Sequence, residues 1–251
     1  MKRLSEKILV GTSGFYYPHW QKLFYPEDLP KSRYFSYFVT QFQTVEINST
    51  FYHLPKAKTV AHWLEETPED FRFALKAHRE ITHYKKLREA REPLLRFLHL
   101  IKPLKPKLVA ILFQLPPSLH KDIALLSDFL QLLPSSGYRF AIEFRHKSWY
   151  DEETDTVLKA YNVARCLHDY ARAKIEPVIT ADFTYLRLHG ADGHYRGSYD
   201  DATLTQLAQM LLDAARHQKA LFVYFNNDTD AAAVTDARRL QTLLSQMDPL
   251  L

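Results

Sequence analysis

The regular spacing of apolar segments constrains the fold of this chain more than any other feature. Strand-like runs recur at intervals of roughly thirty residues with helical patterns between them, as expected for repeated βα units and a parallel sheet. We identify eight such runs and expect a helix after each; they lie at residues 8–12, 44–52, 71–76, 108–115, 140–145, 163–167, 184–190 and 221–225. The sequence therefore predicts an α/β protein with a single (β/α)₈ TIM-barrel domain over residues 1–251.

An open, doubly wound sheet is the competing architecture. Such folds commonly carry a glycine-rich turn that binds phosphate groups after the first strand. The segment G-T-S-G at Gly11–Gly14 matches neither the dinucleotide-binding pattern nor the Walker pattern. The barrel is therefore the preferred prediction.

The carboxyl ends of the predicted strands are polar. Successive side chains of a strand point to opposite faces, so Ile142 and Phe144 face away from Glu143. The same parity, applied to every strand, gives the last inward positions as Ser13, Glu46, Asn48, Lys76, Gln114, Glu143, Arg145, Arg187, His189 and either Asn226 or Asn227. In a TIM barrel the working groups lie at this end of the strands, so we expect a site there.

The charges in this set favour an anionic ligand. Lys76, Arg145 and Arg187 would oppose a divalent cation and suit a phosphate or carboxylate group. Glu46, Glu143, Asp169 and His189 could supply ligands to a divalent metal, which is possible but disfavoured, and we predict no cofactor. Glu46 or Glu143 would serve as general base and His189 or His83 as proton donor. The alternative is an ion-pair plug that caps the barrel interior and has no chemical role.

Aromatic side chains in the predicted loops suggest a rim that stacks on a planar or sugar-like ligand. The set is Tyr16, Tyr17, Trp20, Phe51, Tyr52, Trp149, Tyr195 and Tyr199, of which Tyr52, Trp149, Tyr195 and Tyr199 are candidate substrate-binding residues. The alternative is that these rings form local core over the barrel mouth.

Composition restricts the partners only loosely. The net charge of +4 is too small to imply nucleic-acid binding by itself. No apolar run approaches the roughly 20 residues of a membrane span, and the N-terminus does not resemble a secretory signal. Cys166 is the only cysteine, so an internal disulfide is excluded. We expect a cytoplasmic protein without a membrane partner, and the sequence does not indicate an oligomeric state.

Nine short segments resemble a known family. They are G-T-S-G-F at Gly11, F-Y-P at Phe24, T-V-E-I-N-S-T-F-Y at Thr44, F-R-F-A-L-K-A at Phe71, I-T-H at Ile81, F-Q-L-P-P at Phe113, I-E-F-R-H-K-S-W at Ile142, L-R-L-H-G at Leu186 and Y-F-N-N at Tyr224. In this order they resemble the YecE-like family, domain of unknown function 72. The resemblance implies a TIM barrel similar to those of the endonuclease IV and xylose isomerase type, and it supplies no reaction.

Two functional hypotheses follow. The first is an enzyme that acts on a small anionic substrate related to a sugar or a nucleotide. The second is a nucleic-acid-binding protein, or a metal-dependent protein similar to endonuclease IV, since distant relatives of the family hold divalent metals with histidine and carboxylate clusters. The lysine and arginine residues at the strand ends depart from that metal-binding pattern.

Overall fold

The computed structural model describes residues 3–248, and these fall into two compact units. The first unit lies within Met1–Glu46, Leu167–Val178 and Asp182–Leu251, and the second consists of Ile47–Cys166 and Ile179–Ala181. The prediction of a single domain remains a prediction.

Five parallel strands organise the first unit. They are β1 (Ile8–Ser13), β2 (Thr44–Ile47, whose last residue belongs to the second unit), β7 (Leu167–His168), β8 (Phe183–Leu188) and β9 (Ala220–Phe225), hydrogen-bonded in the order β2-β1-β9-β8-β7. The helices of this unit are α1 (Tyr34–Val39), α7 (Asp201–Ala215) and α8 (Ala232–Met247). The register pairs Ser13 with Glu46 and Arg187 with Tyr224. Ser13, Glu46 and Arg187, which strand parity selected, therefore lie near the ends of their strands.

Four parallel strands organise the second unit. They are β3 (Arg72–Lys76), β4 (Leu108–Gln114), β5 (Phe140–Glu143) and β6 (Ala164–Arg165), in the order β3-β4-β5-β6. The helices are α2 (Ser49–Tyr52), α3 (Ala57–Glu65), α4 (Arg91–Ile101), α5 (Ile123–Gln131) and α6 (Glu152–Ala160). Side-chain oxygens of Asp122 and Asp151 accept backbone N–H groups at the starts of α5 and α6, which satisfies donors that a helix leaves unpaired. Gln114 and Glu143 are register partners at the ends of β4 and β5.

The predicted strand at residues 163–167 is interrupted. It forms β6 and β7, which only Cys166 separates, so the nine strands correspond to the eight expected runs. The expectation of a helix after every strand is wrong at one place. A 3₁₀ turn at Tyr170–Arg172 follows β7, and no α-helix forms before β8. Pro177 lacks the N–H group that a helix interior needs, and the neighbouring β-branched residues also disfavour a helix.

The alternation of side chains along a strand places apolar residues on one face and polar residues on the other. In β8 the outward residues Leu186 and Leu188 are buried as core, while Tyr185 and Arg187 on the other face are also fully buried. Such burial of a guanidinium requires polar partners within the protein. None of the helices between residues 3 and 248 combines the length and the apolarity that crossing a membrane requires.

Candidate functional site

Glu46 at the end of β2 is the centre of a buried polar cluster in the first unit. Its side chain has no exposed surface, and the side chain of Arg187 is 1% exposed. Arg187 donates to Glu46 Oε1 from Nε at 3.1 Å and from Nη2 at 2.9 Å. Tyr185 donates to Oε2 at 2.6 Å, and Ser13 Oγ donates to Oε1. Four donors therefore meet one carboxylate, which satisfies the rule that buried charge must be paired and hydrogen-bonded.

This arrangement bears on the role of Glu46. A carboxylate has about four lone-pair positions, and donors already occupy as many here. The same contacts hold the Arg187 guanidinium, whose Nη2 also donates to Ser13 Oγ at 3.1 Å. Burial and the nearby Glu46 carboxylate hold the pKa of Tyr185 well above its usual range, so Tyr185 remains a proton-bearing donor. The geometry therefore favours Glu46 as the residue that orients Arg187 over the predicted general-base role.

His189 continues this polar network beyond Arg187. Its Nε2 atom lies 3.5 Å from Arg187 Nη1, and its Nδ1 atom lies 3.3 Å from Asp169 Oδ1. The backbone N–H of His189 donates to the same Asp169 oxygen at 2.6 Å. Tyr199 donates its hydroxyl to Asp169 Oδ2, so both oxygens of this carboxylate are engaged. The sequence offered Asp169 only as a possible metal ligand, and strand parity did not select it, because it lies between the end of β7 and the 3₁₀ turn at Tyr170–Arg172.

The segment after β8 is tied to the last helix by a second buried carboxylate, Asp236. It accepts hydrogen bonds from Ser198 Oγ, from the Tyr199 backbone at 3.1 Å and from Asn227 Nδ2 at 2.9 Å. Arg239 Nη1 lies 2.9 Å from it. The polar residues predicted at the end of β9 are therefore present, and the Asn227 side chain is hydrogen-bonded to Asp236. Asn226 is 7% exposed and its own N–H donates to the backbone of Leu188.

A second cluster lies in the second unit, around His83. Glu143 and Arg145 form an ion pair in which both side chains are buried. Lys76 Nζ lies 4.1 Å from the centre of the Phe51 ring, and that ring meets the His83 imidazole edge to face at 4.9 Å. Arg79, a residue that the sequence reasoning missed, lies over the rings of Tyr52 and Tyr84 at 5.7 and 5.3 Å. We call Lys76, Arg79 and Arg145, the cations that act on His83, the cationic cluster.

The titration of His83 reports the charge of its surroundings. Its pKa is lowered from 6.5 to about 4, first by burial and then by Lys76, Arg145 and Arg79. All the charged groups that act on His83 here are cations, and each disfavours a further positive charge. At neutral pH the imidazole therefore carries no charge, and the predicted role of His83 as proton donor is not supported there.

The aromatic side chains of the expected rim divide into two groups. Trp20 and Trp149 have no exposed surface, and the Trp149 indole donates to the Leu119 carbonyl oxygen at 2.8 Å while its ring stacks on Phe144. Trp149 is therefore packed as core with its N–H and its ring both engaged, and its role in binding a ligand stays a prediction. The buried rings also include Phe51 and Tyr199, whereas Tyr16, Tyr52 and Tyr195 are 54%, 53% and 38% exposed.

The remaining predicted binding residues make local contacts. Gln114 Nε2 donates to the Leu115 carbonyl at 2.7 Å, and Asn48 lies directly before α2. Within residues 3–248, no three side chains of His, Cys, Asp or Glu come together as a metal site requires. The prediction that the protein uses no metal or cofactor remains untested by this observation.

Comparison with solved structures defines the architecture. A DUF72 family protein from Thermotoga maritima superimposes with a TM-score of 0.86 and 29% identity, covering 94% of this chain and 98% of that one. D-Psicose 3-epimerase from Clostridium cellulolyticum H10, solved with D-tagatose, has a TM-score of 0.57 at 11% identity, which shows likeness of fold alone. The comparison confirms the predicted α/β, (β/α)₈ TIM-barrel class.

Comparison with sequences places the chain in a family. The E. coli K12 protein YecE, of the UPF0759 group, is 31% identical over 153 residues, which are 60% of this chain and 53% of YecE, so the match spans about half the length of that relative. YunF of Bacillus subtilis 168 is 24% identical over 259 residues, covering 88% of this chain and 89% of YunF. The family model of the protein of unknown function DUF72 matches residues 9–250. Because that match extends over nearly the whole sequence and agrees with the resemblance to YecE, the chain belongs to the DUF72 family.

Proposed function

We propose that this protein is an enzyme for a small anionic substrate, phosphorylated or carboxylated, and that the cationic cluster binds the anionic group. The observation that carries the proposal is the grouping of Lys76, Arg79 and Arg145 near His83, whose pKa burial and these three cations lower to about 4. Burial disfavours any charge, whereas the three cations favour a negative one. An anion bound beside His83 would offset the repulsion among these groups.

An unsatisfied donor supports the same proposal. Arg79 Nε is buried and has no hydrogen-bond acceptor among residues 3–248. A buried donor without an acceptor costs about 1–3 kcal/mol, so a native protein rarely leaves one unless a ligand or solvent completes it. The oxygen of a phosphate or carboxylate is a suitable acceptor, because a guanidinium binds such groups with two parallel hydrogen bonds.

The groups next to the cluster suggest what else the substrate carries. Tyr52 is 53% exposed and stacks with Arg79, which provides an aromatic surface for a sugar ring or a nucleobase. Glu143 is the carboxylate within this unit that we propose as general base, with Arg145 Nε donating to it. We retain a cytoplasmic location as part of the proposal, since a sequence with one cysteine, Cys166, offers no internal disulfide.

Anion binding is tested by thermal shift and calorimetry with sulfate, inorganic phosphate, citrate and sugar phosphates. A ligand at about 100 times its dissociation constant adds roughly 2.7 kcal/mol, which is about 5–11 °C in Tm for a protein of this size. Lys76→Met is expected to weaken binding at least tenfold, whereas Lys58→Met, on the exposed side of α3, is the matched control. If no anion raises Tm, or if the two variants behave alike, the proposal is wrong.

Nucleic acid is the alternative ligand, because exposed Tyr52 and Tyr84 beside Arg79 could stack on bases. The salt dependence of binding separates the two functions. A duplex that contacts several phosphates would show a slope of about −0.9 per contact in log affinity against log salt, while a single small anion gives a shallow slope. A steep slope with short oligonucleotides, together with no response to small anions, would favour the alternative.

A further inference from the structure

Asp169 is held in a fixed position by groups on both sides of its carboxylate. Tyr199 donates its hydroxyl to Oδ2, and the Tyr199 oxygen in turn accepts the N–H of Gly190 at 2.6 Å. Burial and Asp169 keep the pKa of Tyr199 far above its usual range, so this hydroxyl keeps its proton. On the other side, Oδ1 accepts the backbone N–H of His189 at 2.6 Å. The carboxylate therefore presents Oδ1 to the residue whose ring it also faces.

These contacts favour one tautomer of the His189 imidazole. A carboxylate oxygen accepts hydrogen bonds, so the Nδ1 atom at 3.3 Å from Oδ1 is the one that bears hydrogen. A guanidinium only donates, so Nε2, which lies 3.5 Å from Arg187 Nη1, is the acceptor. With the proton on Nδ1, the imidazole donates to Asp169 and accepts from Arg187. With the proton on Nε2, two donors would face each other at Arg187 and two acceptors at Asp169.

The backbone around His189 is strained on both sides. Ala171 and Arg172, which follow Asp169 and Tyr170, have φ values of 55° and 58°, and Tyr195 has a φ of 72°. The two segments are joined, because Ala171 N donates to Gly193 O at 2.9 Å. Left-handed backbone at residues other than glycine persists only where surrounding contacts fix it, and it concentrates at functional sites. Strain at this position agrees with a role beyond packing.

We propose that Asp169 is a positioning residue of His189, which holds the imidazole proton on Nδ1 and leaves Nε2 as the proton-accepting atom. When a substrate hydroxyl takes the place of Arg187 Nη1 as the donor to Nε2, the imidazole removes its proton. The O–H bond breaks, a bond forms to Nε2, and the electron pair stays on the substrate oxygen beside Arg187. Asp169 then faces the imidazolium that results. His189 has no exposed surface in this structure, so the step requires a rearrangement that opens a path to Nε2.

The test is the tautomer of His189, read from long-range ¹H–¹⁵N NMR correlations of the full-length protein with ¹⁵N-labelled histidine. The chain has 12 histidines, so His189→Gln assigns the signals. We expect the wild-type protein to show the proton on Nδ1. Asp169→Asn keeps an oxygen at Oδ1, because the His189 backbone N–H demands an acceptor there, and is expected to retain this tautomer. Asp169→Ala removes the acceptor and is expected to shift the ring mainly to the Nε2–H form.

Asp192→Ala is the matched control, because Asp192 binds the backbone of His194 in the same segment without contacting His189. It is expected to leave the His189 signals unchanged. A wild-type spectrum with the proton on Nε2 overturns the proposal, as does Asp169→Ala with an undiminished Nδ1–H form. If Asp169→Ala does not fold, the wild-type spectrum decides. Failure here leaves the anion proposal intact, since that measurement concerns other residues in the second unit.

Discussion

Replacing Glu46 with glutamine is the most direct perturbation of the polar cluster in the first unit. The substitution keeps the size of the side chain, replaces one of its two acceptor oxygens by an NH₂ donor, and removes the charge that faces Arg187. Arg187 is 1% exposed, so water cannot compensate for the lost charge without rearrangement. We expect Glu46→Gln to lower the free energy of unfolding strongly while the fold persists.

The magnitude follows from the distance and the burial. At 2.9 Å and an effective dielectric constant of 20, the attraction between two unit charges is about 6 kcal/mol before the cost of desolvation. Removing one partner of a buried ion pair typically costs about 3–5 kcal/mol, because the other charge is left behind. We therefore expect a loss of about 4 kcal/mol, which corresponds to a fall in Tm of roughly 8–16 °C in a protein of this size.

The assay is urea unfolding at equilibrium, with Glu46→Gln, Arg187→Met and the double variant measured together. The double variant is expected to be less destabilised than the sum of the single variants, because neither charge remains unpaired. Glu6→Gln, at an exposed position, is the control and should change the stability by less than about 0.5 kcal/mol. A loss below about 1 kcal/mol for Glu46→Gln, or strictly additive effects, would refute the assignment of Glu46 as the counter-ion that orients Arg187.

Two further predictions concern pH and backbone packing. The pKa of His83 is about 4 in the folded protein and 6.5 without the fold, so between these values the unfolded chain binds the proton first. The wild type should therefore lose stability relative to His83→Gln as the pH falls from 7 to 4.5, and saturating sulfate should reduce the loss; parallel urea-unfolding curves would contradict this. Gly11→Ala should be destabilised by at least about 1 kcal/mol, because a Cβ at Gly11 would overlap the Thr44 carbonyl oxygen; unchanged Tm would show that β1 and β2 can separate at no cost.

Strand parity predicted the contacts that depend on alternation. Glu46 and Arg187 stand 141 residues apart, yet the rule that alternate residues share a face selected both, and they are in contact. The rule also selected the ion pair of Glu143 and Arg145. It succeeds because parallel strands in register bring the same end of each strand together, whatever the intervening sequence.

Parity failed where the backbone is not extended. Trp149 lies in a 3₁₀ turn after β5, and the direction of its ring depends on turn geometry that the residue type does not specify. Asp169 and Arg79 lie beyond the ends of their strands, each directly before a helical turn. Strand alternation therefore could not predict their contacts. Aromatic content alone could not distinguish Trp149, which is core, from Tyr52, which is exposed, because both are amphipathic rings in loops.

The carboxylate of Asp236 has a practical consequence for work on this family. It belongs to α8, and through Ser198 and the Tyr199 backbone it secures the residue whose hydroxyl reaches Asp169. Trimming the protein before α8 would therefore disturb His189 from a distance, and a shortened variant with lost activity would say nothing about chemistry in the deleted helix. Point substitution of Asp236 with asparagine is the cleaner way to separate the anchoring role of that helix from its bulk.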